Sequence, residues 1–132
     1  MRYEPDYIMT PAADQPRKSM GFTSVPHKLW DTLQQVSRDR DMGDTGIFRA
    51  ALRYLLDQRD LGVKFHYLSP PKRQGAEDKI SVRKILWMPP ELYDEIKDMV
   101  KADHTSQTDF FFTAVKYYCE ENEIPVKVDM VD

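Results

Sequence analysis

The chain has 132 residues, which sets a soft prior of one compact domain or two very small ones. It carries 19 Lys and Arg against 22 Asp and Glu, a formal net charge of −3, so a strongly basic chromatin-type protein is excluded while local basic patches are not. Apolar residues make up 41% and charged residues 31%, the balance of a folded, soluble protein rather than a disordered one.

The first segment, 1–16, is polar and acidic and holds three prolines. It reads as a flexible tail and not as a secretory leader. No apolar run approaches the roughly 20 residues needed to span a bilayer. A single cysteine, Cys119, permits no internal disulfide and points to a reducing compartment. The expectation is a soluble cytoplasmic protein with no membrane partner.

Met20 to Val25 is short, partly β-branched or aromatic, and cut off by Pro26, so it predicts a strand. Pro26 then opens a helix whose apolar face is Leu29, Leu33 and Val36, at i, i+4 and i+7. Gly43 suits the end of that helix, and Thr45 offers a hydroxyl to cap a second one. The second helix buries Phe48, Ala51, Leu52, Leu55 and Leu56, closing a first unit over 17–61. Residues 62–80, broken by Pro70, Pro71 and Gly75, read as a linker.

The same order then returns. Val82 to Met88 predicts a strand, and Pro89 opens a helix with Leu92, Ile96 and Met99 on one face. Thr108 is the expected cap of the next helix, with Asp109 in its first turn and Phe111, Ala114, Val115 and Tyr118 facing inward. This second unit covers 81–121. For 122–132, with Ile124, Val126, Val128 and Val131 spaced among polar residues, an edge strand and a disordered acidic tail both stand.

The two units align at a constant offset of 63 residues: Pro26 with Pro89, Leu29 with Leu92, Thr45 with Thr108, Phe48 with Phe111, and Tyr54 with Tyr117. Two helices and their turn in one register argue for duplication. A strand with two short helices, roughly 45 residues, buries too little apolar surface to be stable alone. Its strand also has no ladder partner. Pairing the two strands antiparallel with four helices behind them answers both needs.

In this order of elements the chain resembles the ribbon–helix–helix family of DNA-binding proteins, in a tandem form with both copies on one polypeptide. The resemblance covers roughly 18–60 and 81–121. It rests on the Val25–Pro26 and Met88–Pro89 junctions, a Leu three residues past Pro26 and Pro89, the polar turn, and the second helices TGIFRAALRYLL and TDFFFTAVKYYC. The fold it implies is mainly α with a two-stranded antiparallel β-ribbon, a tandem ribbon–helix–helix pseudo-dimer. The partner it implies is double-stranded DNA, with the ribbon in the major groove. The expected role is a transcriptional regulator or repressor of viral, plasmid or prokaryotic origin, nucleoid-associated or, if viral, in the host cytoplasm.

By resemblance, the residue before each proline points into the core. Counting back by twos places Val25 and Thr23 inward on the first strand, and Met88, Leu86 and Lys84 inward on the second. The groove-facing set is then Met20, Phe22 and Ser24, with Arg83, Ile85 and Trp87. A slip of one residue would instead turn Thr23, Lys84 and Leu86 outward. Affinity is expected from Arg17, Lys18, Arg83 and Lys84, with Lys72, Arg73 and Lys79 nearby. The resemblance also implies that Thr45 and Gly46, and Thr108 and Asp109, clamp phosphates at the second-helix N-termini.

Four apolar groups in a reading face depart from the family pattern. They leave open a second function, protein docking through Phe22, Ile85 and Trp87, or cover of the ribbon by a tail. Further self-association also stays open. The run Phe110–Phe111–Phe112 spans roughly 200° of a helix, so at least one Phe is expected outside the core, against another copy or a tail. His27, His66 and His104 are scattered, and the acidic turn Asp39, Asp41 and Asp44 lacks calcium-loop spacing, so no metal is expected. No catalytic motif is present, and neither an enzyme nor a cofactor is expected.

Overall fold

A computed structural model describes residues 17–68 and 81–125. The expectations for 1–16, for the linker stretch 69–80 with its three basic residues, and for 126–132 lie outside the described residues. The elements run β1 (Lys18–Pro26), α1 (His27–Asp39), α2 (Gly46–Asp60), β2 (Ser81–Met88), α3 (Pro90–Ala102) and α4 (Gln107–Glu121). The protein is mainly helical, and β1 and β2 pair antiparallel as a two-stranded sheet.

Each strand ends where proline removes the next ladder donor. Pro26 and Pro89 hold extended backbone, with ψ of 129° and 147°, and a helix starts at the following residue. α1 buries Leu29, Trp30, Leu33 and Ser37. Its end is tied to the start of α2 by the Ser37 hydroxyl, which accepts from the Ile47 N–H at 3.1 Å. The intervening turn needs left-handed backbone at Asp41 (φ 61°) and Gly43 (φ 76°), the second a position at which glycine is unstrained.

The ribbon departs from simple alternation. Partners run from Lys18↔Met88 to Phe22↔Lys84, and the pairing resumes at Val25↔Val82, so β1 holds one extra residue between Phe22 and Val25. This is a β-bulge, with Ser24 at φ 60°. The bulge reverses which side chains face inward before it. Met20 and Phe22, expected on the outer face, are 2% and 0% exposed and belong to the core, while Thr23, expected inside, is exposed. Ser24, also expected outside, is half-buried in the bulge itself. The second strand has no such irregularity: Leu86 and Met88 are buried, whereas Arg83, Ile85 and Trp87 are exposed, as the alternation predicts.

The core joins both halves of the chain through aromatic rings. Phe111 of α4 stacks on Phe22 of β1 with ring centroids 4.4 Å apart. It also lies 6.1 Å from Trp30 and 5.9 Å from Phe48, which stack on each other at 4.1 Å. Contacts of this kind contribute roughly 0.5–1.5 kcal/mol each beyond area burial. All three of Phe110, Phe111 and Phe112 are buried, against the expectation that one would lie outside. The reason is the central place of α4. It packs on α2, α3 and β1, and the segment after α2 runs against it too.

That segment, 63–68, packs on the core and is no free connection. Phe65 and Tyr67 lie against the core, and the Leu68 N–H donates to the Thr113 hydroxyl at 2.8 Å. Tyr67 donates its hydroxyl to Asp103 Oδ2 at 2.6 Å, and Arg59 grips the same carboxylate with two bonds of 2.9 and 2.6 Å. The Arg59 bonds hold Asp103 below the usual carboxylate range, with the Tyr67 bond acting in the same direction. At the other end, Ile124 turns back into the core, its N–H bonded to the Cys119 carbonyl at 2.9 Å. Cys119 is buried, and burial pushes its thiol up to about 11, as befits an inert packing residue.

Candidate nucleic-acid interface

The bulge decides what the ribbon offers. Its inner face holds Met20, Phe22, Val25, Leu86 and Met88, all buried. Its outer face therefore holds Ser19 and Gly21 on β1 and Arg83, Ile85 and Trp87 on β2, with exposed Thr23 at its edge. Ile85 is 49% and Trp87 55% exposed, the largest uncovered apolar groups of the sheet. Across the ladder Gly21 faces Ile85 and Ser19 faces Trp87. Two expected apolar groups are thus replaced by the small residues Ser19 and Gly21. Counting back from Val25 missed this, although apolar residues at 20, 22 and 25, spaced two and then three, were a readable sign of the bulge.

The cations divide in the same way. Arg83 is exposed on the outer face. Lys18 turns to the helix side, its Nζ 3.2 Å from Asp94 Oδ1 and 4.9 Å above the Tyr93 ring. Lys84 is half-buried on the inner side, with Nζ 5.6 Å from the Trp30 ring. Neither therefore stands on the outer face with Arg83. Arg17, half-buried at the start of β1, acts electrostatically on a residue the sequence reading did not single out, Arg49.

Arg49 sits in the first turns of α2, 6% exposed. Its Nη1 donates to Thr45 Oγ1 at 2.9 Å and to the Trp87 carbonyl at 3.0 Å, while its Nε has no partner among the described residues. Burial first, and the charge of Arg17 second, lower the guanidinium to about 10, so it stays charged at neutral pH. This is a buried cation that fixes the β2 backbone under Trp87. The only sequence sign of it was a charge inside the apolar run of α2.

The two second-helix N-termini, expected to be alike, differ. At α2, Thr45 is the N-cap but makes no side-chain cap bond, its hydroxyl serving Arg49, and the first turn holds no acidic residue. At α4 the cap is Ser106, not Thr108, and its hydroxyl accepts from the Asp109 N–H at 3.0 Å. Thr108 is buried and its Oγ1 accepts from the Thr23 N–H at 3.0 Å, closing a donor freed by the bulge. Gln107 adds a 2.6 Å bond to the Gly21 carbonyl. The α4 end is thus spent on holding β1, with an Asp in its first turn. Gly46, at the α2 end, is buried behind half-buried Thr45.

Among the described residues, no helix is long and apolar enough to cross a membrane, and no group of three or more His, Cys, Asp or Glu is placed to hold a metal ion. The chain matches no family model, no curated protein and no solved structure.

Proposed function

We propose that this protein binds double-stranded DNA by laying the outer face of its ribbon in the major groove, as a tandem ribbon–helix–helix pseudo-dimer acting in transcriptional regulation. The observation that carries the reading is the outer face itself. One side of a two-stranded antiparallel ribbon is packed on helices. The other, among the described residues, is uncovered and holds Ser19 and Arg83, which supply hydrogen-bonding groups, beside Ile85 and Trp87. A two-stranded ribbon fits the width of the major groove, where all four base pairs are distinguishable. Removing Met20 and Phe22 from that face takes away half of the apolar surface that spoke against DNA. Arg83 and Arg17 supply charge for phosphates or bases, and the acid-free first turn of α2 favours an anion more than the Asp109-bearing end of α4 does.

A second reading rests on Ile85 and Trp87, two apolar neighbours on one face that a protein partner would cover. An electrophoretic shift on random duplex DNA at low and moderate salt separates the two. The DNA reading expects a shift that weakens with salt and weakens further in Arg83→Ala. Absence of a shift at low salt, with a stoichiometric protein partner lost on Trp87→Ala, would establish the other.

A further inference from the structure

The two strands present unlike side chains at matched places. β1 offers Ser19 and Gly21; β2 offers Arg83, Ile85 and Trp87, with Gly21 opposite Ile85. The difference is not only one of size. Arg83 reaches diagonally over the Gly21 backbone: a Cβ placed on Gly21 would stand 2.5 Å from Arg83 Nη2, 2.8 Å from Nε and 3.0 Å from Cζ. A side chain at 21 would make the guanidinium shift from this position. Gly21 is in regular strand conformation, so what glycine supplies there is room rather than an unusual backbone angle. Among the described residues no acceptor takes a hydrogen bond from Arg83, which leaves its planar fork of donors open at the middle of the exposed face.

Resting on the DNA-binding reading above, we propose that the chain reads a non-palindromic duplex site, with Gly21 as the seat that aims Arg83 at one guanine. Two identical strands present the same groups to both half-sites and therefore select sequences with two-fold symmetry. These strands cannot be exchanged. A guanidinium presents two parallel N–H groups that match guanine O6 and N7, and such a pair discriminates against a wrong base about ten- to a hundredfold. Ile85 and Trp87 add apolar surface for thymine methyls along β2, and nothing comparable stands on β1.

The test is selection of the full chain, and of Gly21→Ala and Arg83→Lys, on duplexes with a randomised centre. The wild-type chain is expected to enrich a site with unequal halves and a fixed G·C pair on one side of the centre. Both variants are expected to lose about tenfold or more of the preference for that pair, read as the ratio of binding to the enriched duplex over binding to unselected duplex. Arg83→Lys keeps the charge but not the fork, so it holds the test open if Gly21→Ala fails to fold. A palindromic consensus within one chain's footprint, or variants that keep the G·C preference, would overturn the proposal. Duplex retention without any enriched sequence overturns it too and leaves DNA binding standing. No retention of duplex at all removes both.

Discussion

The halves of this chain share an order of elements and a spacing, yet their strands and their second helices are held together differently. In the first half, α2 reaches across to β2 with a buried cation, Arg49 to the Trp87 carbonyl. In the second half, α4 reaches across to β1 with neutral groups, Thr108 and Gln107 to Thr23 and Gly21. The bulge explains the difference. An extra residue in β1 frees a backbone N–H that must be satisfied, and the threonine one repeat beyond Thr45 is used to satisfy it. A shared order of helices therefore coexists with divergence at the ribbon, whose outer side chains are not constrained by packing in the core.

Five substitutions probe that comparison. The largest effect is expected at Phe111→Ala, because its ring touches Phe22, Trp30 and Phe48 of the first half and Phe112 of its own helix. It should cost about 3–5 kcal/mol in a denaturant melt, and a loss below 1 kcal/mol would mean that the two halves do not share one core. Next comes the matched pair of threonines. Thr108→Val strands the Thr23 N–H and should cost about 1–3 kcal/mol. Thr45→Val should cost roughly 1 kcal/mol or less, since Arg49 keeps the Trp87 carbonyl. Equal losses would contradict the asymmetry.

Ser106→Ala removes a true cap bond and should cost about 1 kcal/mol. The smallest effect concerns pH. Asp103 is depressed by Arg59, so its contribution is present above the ordinary carboxylate pKa and is lost as pH falls through its lowered value. Thermal melts of Asp103→Asn should therefore lose part of the wild-type drop below about pH 4, whereas an unchanged acid limb would exclude this cluster as its source.

The helices were legible because burial of one face imposes a period that the sequence displays. Leu29 and Leu33, or Leu92, Ile96 and Met99, announce themselves, and the strand–proline junctions mark where each unit begins. The antiparallel pairing followed from the need of each lone strand for a partner. The ribbon face was half legible. Period-2 counting works on β2, where Arg83, Ile85 and Trp87 alternate with Lys84, Leu86 and Met88. It fails on β1, because a bulge is a local exception and the count ran back through it. Ser106 was missed as a cap in favour of Thr108, although Ser106 with Asp109 three residues on has the form of a capping pair. Arg49 was hidden for a different reason. A charge within an apolar run reveals its role only when tertiary contacts show which carbonyl it meets. The same holds for Phe110–Phe112, since no sequence period shows that a helix is enclosed on several sides.

The central claim is that the exposed face of the ribbon is what DNA covers, and the two tryptophans allow a direct measurement. Trp30 is 5% exposed in the core and Trp87 55% exposed on that face, so a neutral collisional quencher such as acrylamide acts on Trp87 almost alone. Adding duplex DNA should sharply reduce the quenching of the full chain, and raising the salt until the complex dissociates should restore it. A complex that forms in the same solution while Trp87 stays as accessible as before would contradict the account.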